Sequence, residues 1–139
     1  MAEGMFSLGS LILVAAGSAF GGMLRFWLGL VIDRRQAGRL PWGTVVVNLS
    51  GALLVGLLVA PLALFGDRGV PLPAALLVTG FLGSYTTVSA FGLQTVVMVR
   101  QGTVRMAILY AALSVGGCLL SAVAGLQLGF FLVGGAGGS

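Results

Sequence analysis

Six uncharged side chains able to donate a hydrogen bond, Asn48, Thr86, Thr87, Ser89, Tyr110 and Ser114, lie inside stretches made otherwise mostly of Ala, Gly, Val, Leu and Phe. No Asp, Glu or Lys accompanies them. The one charged residue at comparable depth is Arg25, and the acids Glu3, Asp33 and Asp67 all fall at the ends of apolar stretches. There is no His and a single Cys, Cys118, so neither a disulfide within the chain nor a cysteine–histidine metal site can form. Without an acid, base or activated nucleophile at depth, the chain reads as a non-enzyme. A proton-coupled exporter needs an ionisable group inside a span, which is also lacking apart from Arg25. What the donors can do is replace, one by one, the water molecules around a small, strongly hydrated anion. Being neutral, they also release it, as conduction requires. The ring edge of Phe91 carries partial positive charge and can add to such a path. Its alternative role is plain core packing.

The elements that must position these groups are membrane spans. Of 139 residues, 58% are apolar and only 7% charged, against about 25% charged in an average soluble domain. The mean hydropathy is +1.13. The length suits four helices of roughly 20 residues and a single domain, residues 1–139. Four helices enclose little, so a site or pore calls for a second copy or a partner. The Arg-only excess of positive charge speaks for topology and not for nucleic acid. With Glu3 and no basic segment at the start, no cleavable signal peptide is expected.

The first span is expected from about Met5 to Ile32. Gly17, Gly21, Arg25 and Gly29 recur every four residues and share one face, where three glycines admit a close neighbour. Arg25 lies toward the second half, where it can snorkel to the interface, pair structurally, or stand near an ion vestibule. Pro41 then opens a second span, Trp42 to Phe65, with Trp42 as an interface anchor. Here Asn48, Ala52, Gly56 and Ala60 repeat at the same spacing. Burying the Asn48 amide without partners costs about 2–7 kcal/mol, so it must bond to another helix, to water or to a ligand.

The third span is expected from Pro71–Pro73 to about Val99. Seven of the twelve residues from Gly80 to Phe91 are Gly, Ser, Thr or Tyr. Irregular backbone at membrane depth survives only when buried in protein or lining a wet cavity, so this stretch predicts a helix broken mid-membrane. Carbonyls freed at such a break can hold a cation, and Gly83 and Thr86 are placed for that. The fourth span is expected from about Met106 to Phe130-Phe131, with Tyr110, Ser114, Cys118 and Ala122 on one face. The Gly-rich tail, residues 134–139, is expected to be disordered. Arg34, Arg35, Arg39, Arg100 and Arg105 flank the first and third connections, against Arg68 alone on the other side. This bias puts those two connections in the cytoplasm and both termini outside, in one dominant orientation.

Taken in order, several motifs resemble the CrcB/Fluc family of fluoride channels: Gly21-Gly22 with Arg25; Gly43-Thr44 leading to Asn48 and Gly51; Gly80-Phe81-Leu82-Gly83 with Thr86-Thr87-Val88-Ser89-Ala90-Phe91; and Tyr110 with Ser114. The resemblance spans roughly residues 10–126. It implies a multi-pass protein of the cell inner (plasma) membrane, an antiparallel dual-topology dimer with two pores along the subunit interface, and passive, selective export of fluoride. Asn48, Thr87, Val88, Ser89, Phe91, Tyr110 and Ser114 would then line the pore, with Arg25 at a vestibule. A structural Na⁺ at the dimer interface would be held by the carbonyls of Gly83 and Thr86. Three positions depart from the family pattern: Val88 where Phe is usual, Ala90 where Ser or Thr is frequent, and Gln94 near a usual Glu. The Arg bias also fits one member of a fixed-orientation heterodimer, with a partly functional pore. Two other readings are a small multidrug-type exporter, disfavoured by the missing carboxylate, and an assembly subunit without transport of its own.

Overall fold

The computed structural model describes residues 8–35, 40–65 and 72–136, with side chains described except at 60–65, 72 and 135–136. The described residues form helices α1 (Leu8–Arg35), α2 (Trp42–Phe65), α3 (Leu72–Tyr85), α4 (Val88–Arg100) and α5 (Val104–Ala136). Among the described residues, four stretches are long and apolar enough to cross a bilayer: Leu8–Arg35, Trp42–Val59, Pro73–Arg100 and Val104–Gly134. The third of these takes in both α3 and α4. Only 11–33% of each span is buried inside the protein, and Phe20, Trp27, Leu120 and Phe131 are among the exposed residues. A face so apolar belongs against acyl chains or another protein.

The helix ends follow from local chemistry. Arg34 and Arg35 close α1, where cations complement the helix dipole. Pro41 precedes α2 and its carbonyl accepts from Val45 at 3.4 Å, but proline has no side chain to cap the first amides. Asp33, from the end of α1, takes that place: its Oδ1 accepts the Gly43 N–H at 2.7 Å and ties the two helices together. At the end of α4, Gly102 adopts φ 76°, a left-handed conformation that glycine takes without strain. The expected bounds of the second span coincide with α2, whereas α1 runs three residues beyond Ile32. α5 continues through Gly134 to Ala136, so part of the segment expected to be a disordered tail is helical; residues 137–139 lie outside the described residues.

Small residues set the packing. α1 lies on α3, where a Cβ at Gly17 would meet the Leu77 carbonyl, one at Gly21 the Phe81 carbonyl, and one at Gly80 the Val14 carbonyl. α2 lies on α5 in the same manner, Gly56 against the Ala122 carbonyl and Gly125 against the Leu53 carbonyl. The fourfold-spaced faces read from sequence therefore divide their work. Gly17 and Gly21 serve α3, but a Cβ at Gly29 would meet nothing within 4 Å, and it is Gly43 of α2 that packs against the Gly29 backbone. On α2, Gly56 serves α5 and Asn48 turns toward the segment between α3 and α4. The Ala60 side chain lies outside the described ones. α4 packs on α5 through a small core of Val45, Met98, Ala107 and Tyr110, flanked by Phe91 and Leu49.

Candidate functional site

Thr86 and Thr87 belong to neither α3 nor α4. Thr87 is extended, φ −149° and ψ 123°, and acts as the N-cap of α4. In an uninterrupted helix the Thr87 N–H would donate to Gly83 O and the Ala90 N–H to Thr86 O. Here the Thr87 N–H donates to Asn48 Oδ1 at 2.8 Å, and the Ala90 N–H to Thr87 Oγ1 at 3.2 Å. Both carbonyls thus lose their helical donors. Thr86 stays with the preceding turn, its N–H and its Oγ1 both donating to Leu82 O, at 3.1 and 3.0 Å.

Asn48 Nδ2 completes a two-point clamp by donating to Thr87 O at 2.9 Å. The amide of α2 therefore pairs with the Thr87 peptide as a backbone neighbour would, and this interhelical bond uses one of its two N–H groups. Gly51, nearly one turn further along α2, leaves room for the Thr86 methyl and the edge of Tyr85. Ser50 and the Tyr85 hydroxyl share a hydrogen bond of 2.8 Å on the same side. Phe81 stacks on Tyr85 at 5.6 Å between ring centres, stiffening the last turn of α3.

Two concavities flank the clamp. The larger, about 510 Å³, is an open groove between α2, α4 and α5 whose wall includes Asn48, Thr86, Thr87, Val88, Phe91 and Ser114. Cys118 and Ala122 continue the Ser114 face along it. Val88 projects there with 82% of its surface exposed. Ser114 is only 5% exposed, and among the described residues its Oγ makes no well-formed hydrogen bond, although the Tyr110 hydroxyl lies close enough to interact with it. The smaller concavity, about 260 Å³, lies between α1, α2 and the start of α4 and is lined by Arg25, Asp33, Gly43, Thr44, Thr87 and Ala90. Arg25 Nε is likewise buried without a partner among the described residues. Thr87 is shared by both walls, so the clamped peptide forms the partition between them.

The residues singled out in sequence fall into distinct places. Asn48, Thr87, Val88, Phe91 and Ser114 meet at the groove, and Arg25 lines the other concavity. Ser89 is exposed and shares a 3.0 Å hydrogen bond with Thr87 Oγ1 without lining the groove. Tyr110 is fully buried behind the wall: its ring meets Phe91 at 5.4 Å, and its hydroxyl donates to Gln94 Oε1 at 2.7 Å. Gly83 is exposed, and a Cβ there would meet nothing within 4 Å. The sequence reading did not give Gln94 or Asp33 a place at the site. Gln94 follows Phe91 by three residues, a helical spacing that puts both toward Tyr110. Asp33 had a signal too, being the acid nearest in sequence to the Pro41-led start of α2.

No side chain on the groove wall is charged. Its surface is largely apolar; the groups able to meet an anion are the Asn48 amide and the hydroxyls of Thr86, Thr87 and Ser114, with the Phe91 ring beside them. The guanidinium of Arg25 stands apart, at the smaller concavity, whose lining also includes the Asp33 carboxylate.

Comparison with known proteins gives a consistent picture. Residues 12–126 match the family described as CrcB-like protein, Camphor Resistance (CrcB). "Fluoride-specific ion channel FluC 2" of Rhodopseudomonas palustris is 46% identical over 116 residues, covering 83% of this chain and 88% of that protein. A protein of the same name from Bradyrhizobium diazoefficiens is 40% identical over 135 residues, covering 94% of this chain and 93% of its own length. "Fluoride-specific ion channel FluC" of Allorhizobium ampelinum is 41% identical over 121 residues, covering 87% and 96%.

Proposed function

Because this chain belongs to the CrcB family, we propose that it is a passive fluoride channel of the bacterial plasma membrane, letting F⁻ leave the cytoplasm. Hydrogen fluoride crosses lipid as a neutral weak acid and dissociates inside, so the trapped anion needs a route out. The observation that carries this reading is the groove wall: Asn48 beside the buried Ser114 hydroxyl, which makes no well-formed hydrogen bond among the described residues, with no charged side chain in the lining. A buried hydroxyl without a partner costs about 1–3 kcal/mol, which a passing anion offsets by accepting a hydrogen bond from it. Phe91 lies on the same wall, and Tyr110 holds its ring from behind.

In this reading the third crossing is one span interrupted at mid-membrane by Thr86 and Thr87. The open groove is closed by a second, oppositely inserted copy, which makes two pores along the interface. Its support is the exposure of Val88, Val115 and Leu119 along the groove, an apolar face that a like surface can cover. The five-to-one Arg bias favours a variant in which the second subunit is a paired homologue of fixed, opposite orientation.

A Na⁺ ion fits the residues present. The carbonyls of Gly83 and Thr86 both lack their helical donors, Gly83 is exposed, and backbone oxygens at an unwound segment suit this hard cation. A second copy would bring the same pair. The ion would supply positive charge against the converging carbonyls and tie the two interrupted spans together.

Cells lacking their own fluoride exporter test the function. Expression of this chain should restore growth in millimolar fluoride, most clearly in acidic medium, where more of the weak acid enters. Growth no better than with the empty vector, with the protein present in the membrane, would contradict the reading.

A further inference from the structure

We propose that Asn48 is a positioning residue for the cation site as well as part of the anion path. By holding the Thr87 peptide it keeps the Gly83 carbonyl available to Na⁺. The inference rests on the reading of Gly83 and Thr86 as Na⁺ ligands. Its own observation is the pair of bonds Thr87 N–H to Asn48 Oδ1, 2.8 Å, and Asn48 Nδ2 to Thr87 O, 2.9 Å.

The Thr87 amide has two acceptors to choose between. One is Gly83 O, four residues earlier, which would continue α3 by another residue. The other is Asn48 Oδ1, from a different helix. A backbone N–H at this depth cannot go unpaired, so losing the second acceptor drives it to the first. Helical propagation would then engage the very carbonyl that the cation needs. The clamp also fixes Thr87 in the extended conformation that lets its Oγ1 cap the Ala90 N–H, which frees Thr86 O. One side chain of α2 therefore controls both carbonyls, although it lines the groove and belongs to neither α3 nor α4. Anion path and cation site become two faces of one clamped peptide.

The two atoms of the amide separate the roles. Asn48→Asp keeps an oxygen to accept from Thr87 N–H but loses the Nδ2 donor. Asn48→Ala loses both, and Asn48→Ser is too short to bridge them. The experiment is thermal unfolding of the purified full-length chain in detergent, titrated with NaCl at constant ionic strength against N-methyl-D-glucamine chloride. Hydrogen exchange of the peptide covering Thr86–Ala90 is followed in parallel. Wild type should be stabilised by Na⁺, and Asn48→Asp should keep that response. Asn48→Ala and Asn48→Ser should need about three to ten times more Na⁺, the worth of one lost hydrogen bond. In those two variants exchange should rise at Thr86–Ala90 before it rises elsewhere.

A variant that merely loosens the fold would lower the midpoint without changing its Na⁺ dependence. An unaltered Na⁺ response in Asn48→Ala or Asn48→Ser overturns the inference, and so does its loss in Asn48→Asp. Absence of any Na⁺ response in wild type overturns the cation reading beneath it, an outcome distinct from both. Should Asn48→Ala not fold, the Asn48→Asp and Asn48→Ser pair still decides.

Discussion

Fluoride efflux from vesicles carrying Asn48→Asp should fall by at least about a hundredfold relative to wild type, read with a fluoride electrode. Three losses act together. The donor to Thr87 O disappears, so the partition between the two concavities is held at one point instead of two. The N–H left over for an anion disappears with it. A carboxylate then stands on the groove wall, and two like charges about 4 Å apart repel by about 4 kcal/mol at an effective dielectric of 20. That alone corresponds to about three powers of ten in rate or occupancy. Flux within about threefold of wild type would remove Asn48 from the anion path, since no repulsion of that size could be hidden.

Gly56→Leu should abolish recovery of monodisperse protein, and Gly125→Leu should do the same from the other side of the contact. At each position even a Cβ would meet backbone of the facing helix, the Ala122 carbonyl and the Leu53 carbonyl respectively. A backbone atom cannot rotate out of the way as a side chain can, so α2 and α5 must separate. Overpacking costs typically 1–3 kcal/mol, and more where two main chains are wedged apart. Gly116→Ala is the internal control, because its Cβ would meet nothing within 4 Å in the same helix as Gly125. Size-exclusion profiles of the three variants in detergent check this. A normal peak for Gly56→Leu would show that the close α2–α5 contact does not hold the bundle together.

The spans were legible because lipid admits few solutions: an apolar run of sufficient length becomes a helix, and the bounds of α2 coincide with the expected ones. The glycine repeats were legible as close-packing faces but not as to their partners. Gly17 and Gly21 share a face with Gly29, yet α3 ends its contact before Gly29, whose backbone Gly43 packs against instead. Spacing within one helix says which residues look the same way, not how far a neighbour of finite length extends.

The site divided similarly. That Asn48 must find a partner followed from the cost of burying an amide; that the partner is the Thr87 peptide depends on how α2 crosses the end of α3, which no local pattern encodes. Tyr110 was read as part of a hydroxyl face with Ser114. In the fold it sits wholly behind the wall, because its hydroxyl is drawn to Gln94 and its ring to Phe91. Ser89, also read as lining the pore, bonds Thr87 and is exposed outside the groove of this one subunit. The α5 helix passes through Gly134 and Gly135 although glycine is a poor helix former, so composition alone misjudged that end.

The central claim is that a wall of uncharged donors passes a small hydrated anion and no other common one. It is tested most directly by reconstituting the purified chain alone into vesicles loaded with potassium fluoride or potassium chloride, and adding valinomycin to let the potassium follow. The account predicts rapid release of fluoride and retention of chloride, with no requirement for a proton gradient. Chloride leaving as fast as fluoride, or neither anion leaving from vesicles shown to contain folded protein, would contradict it.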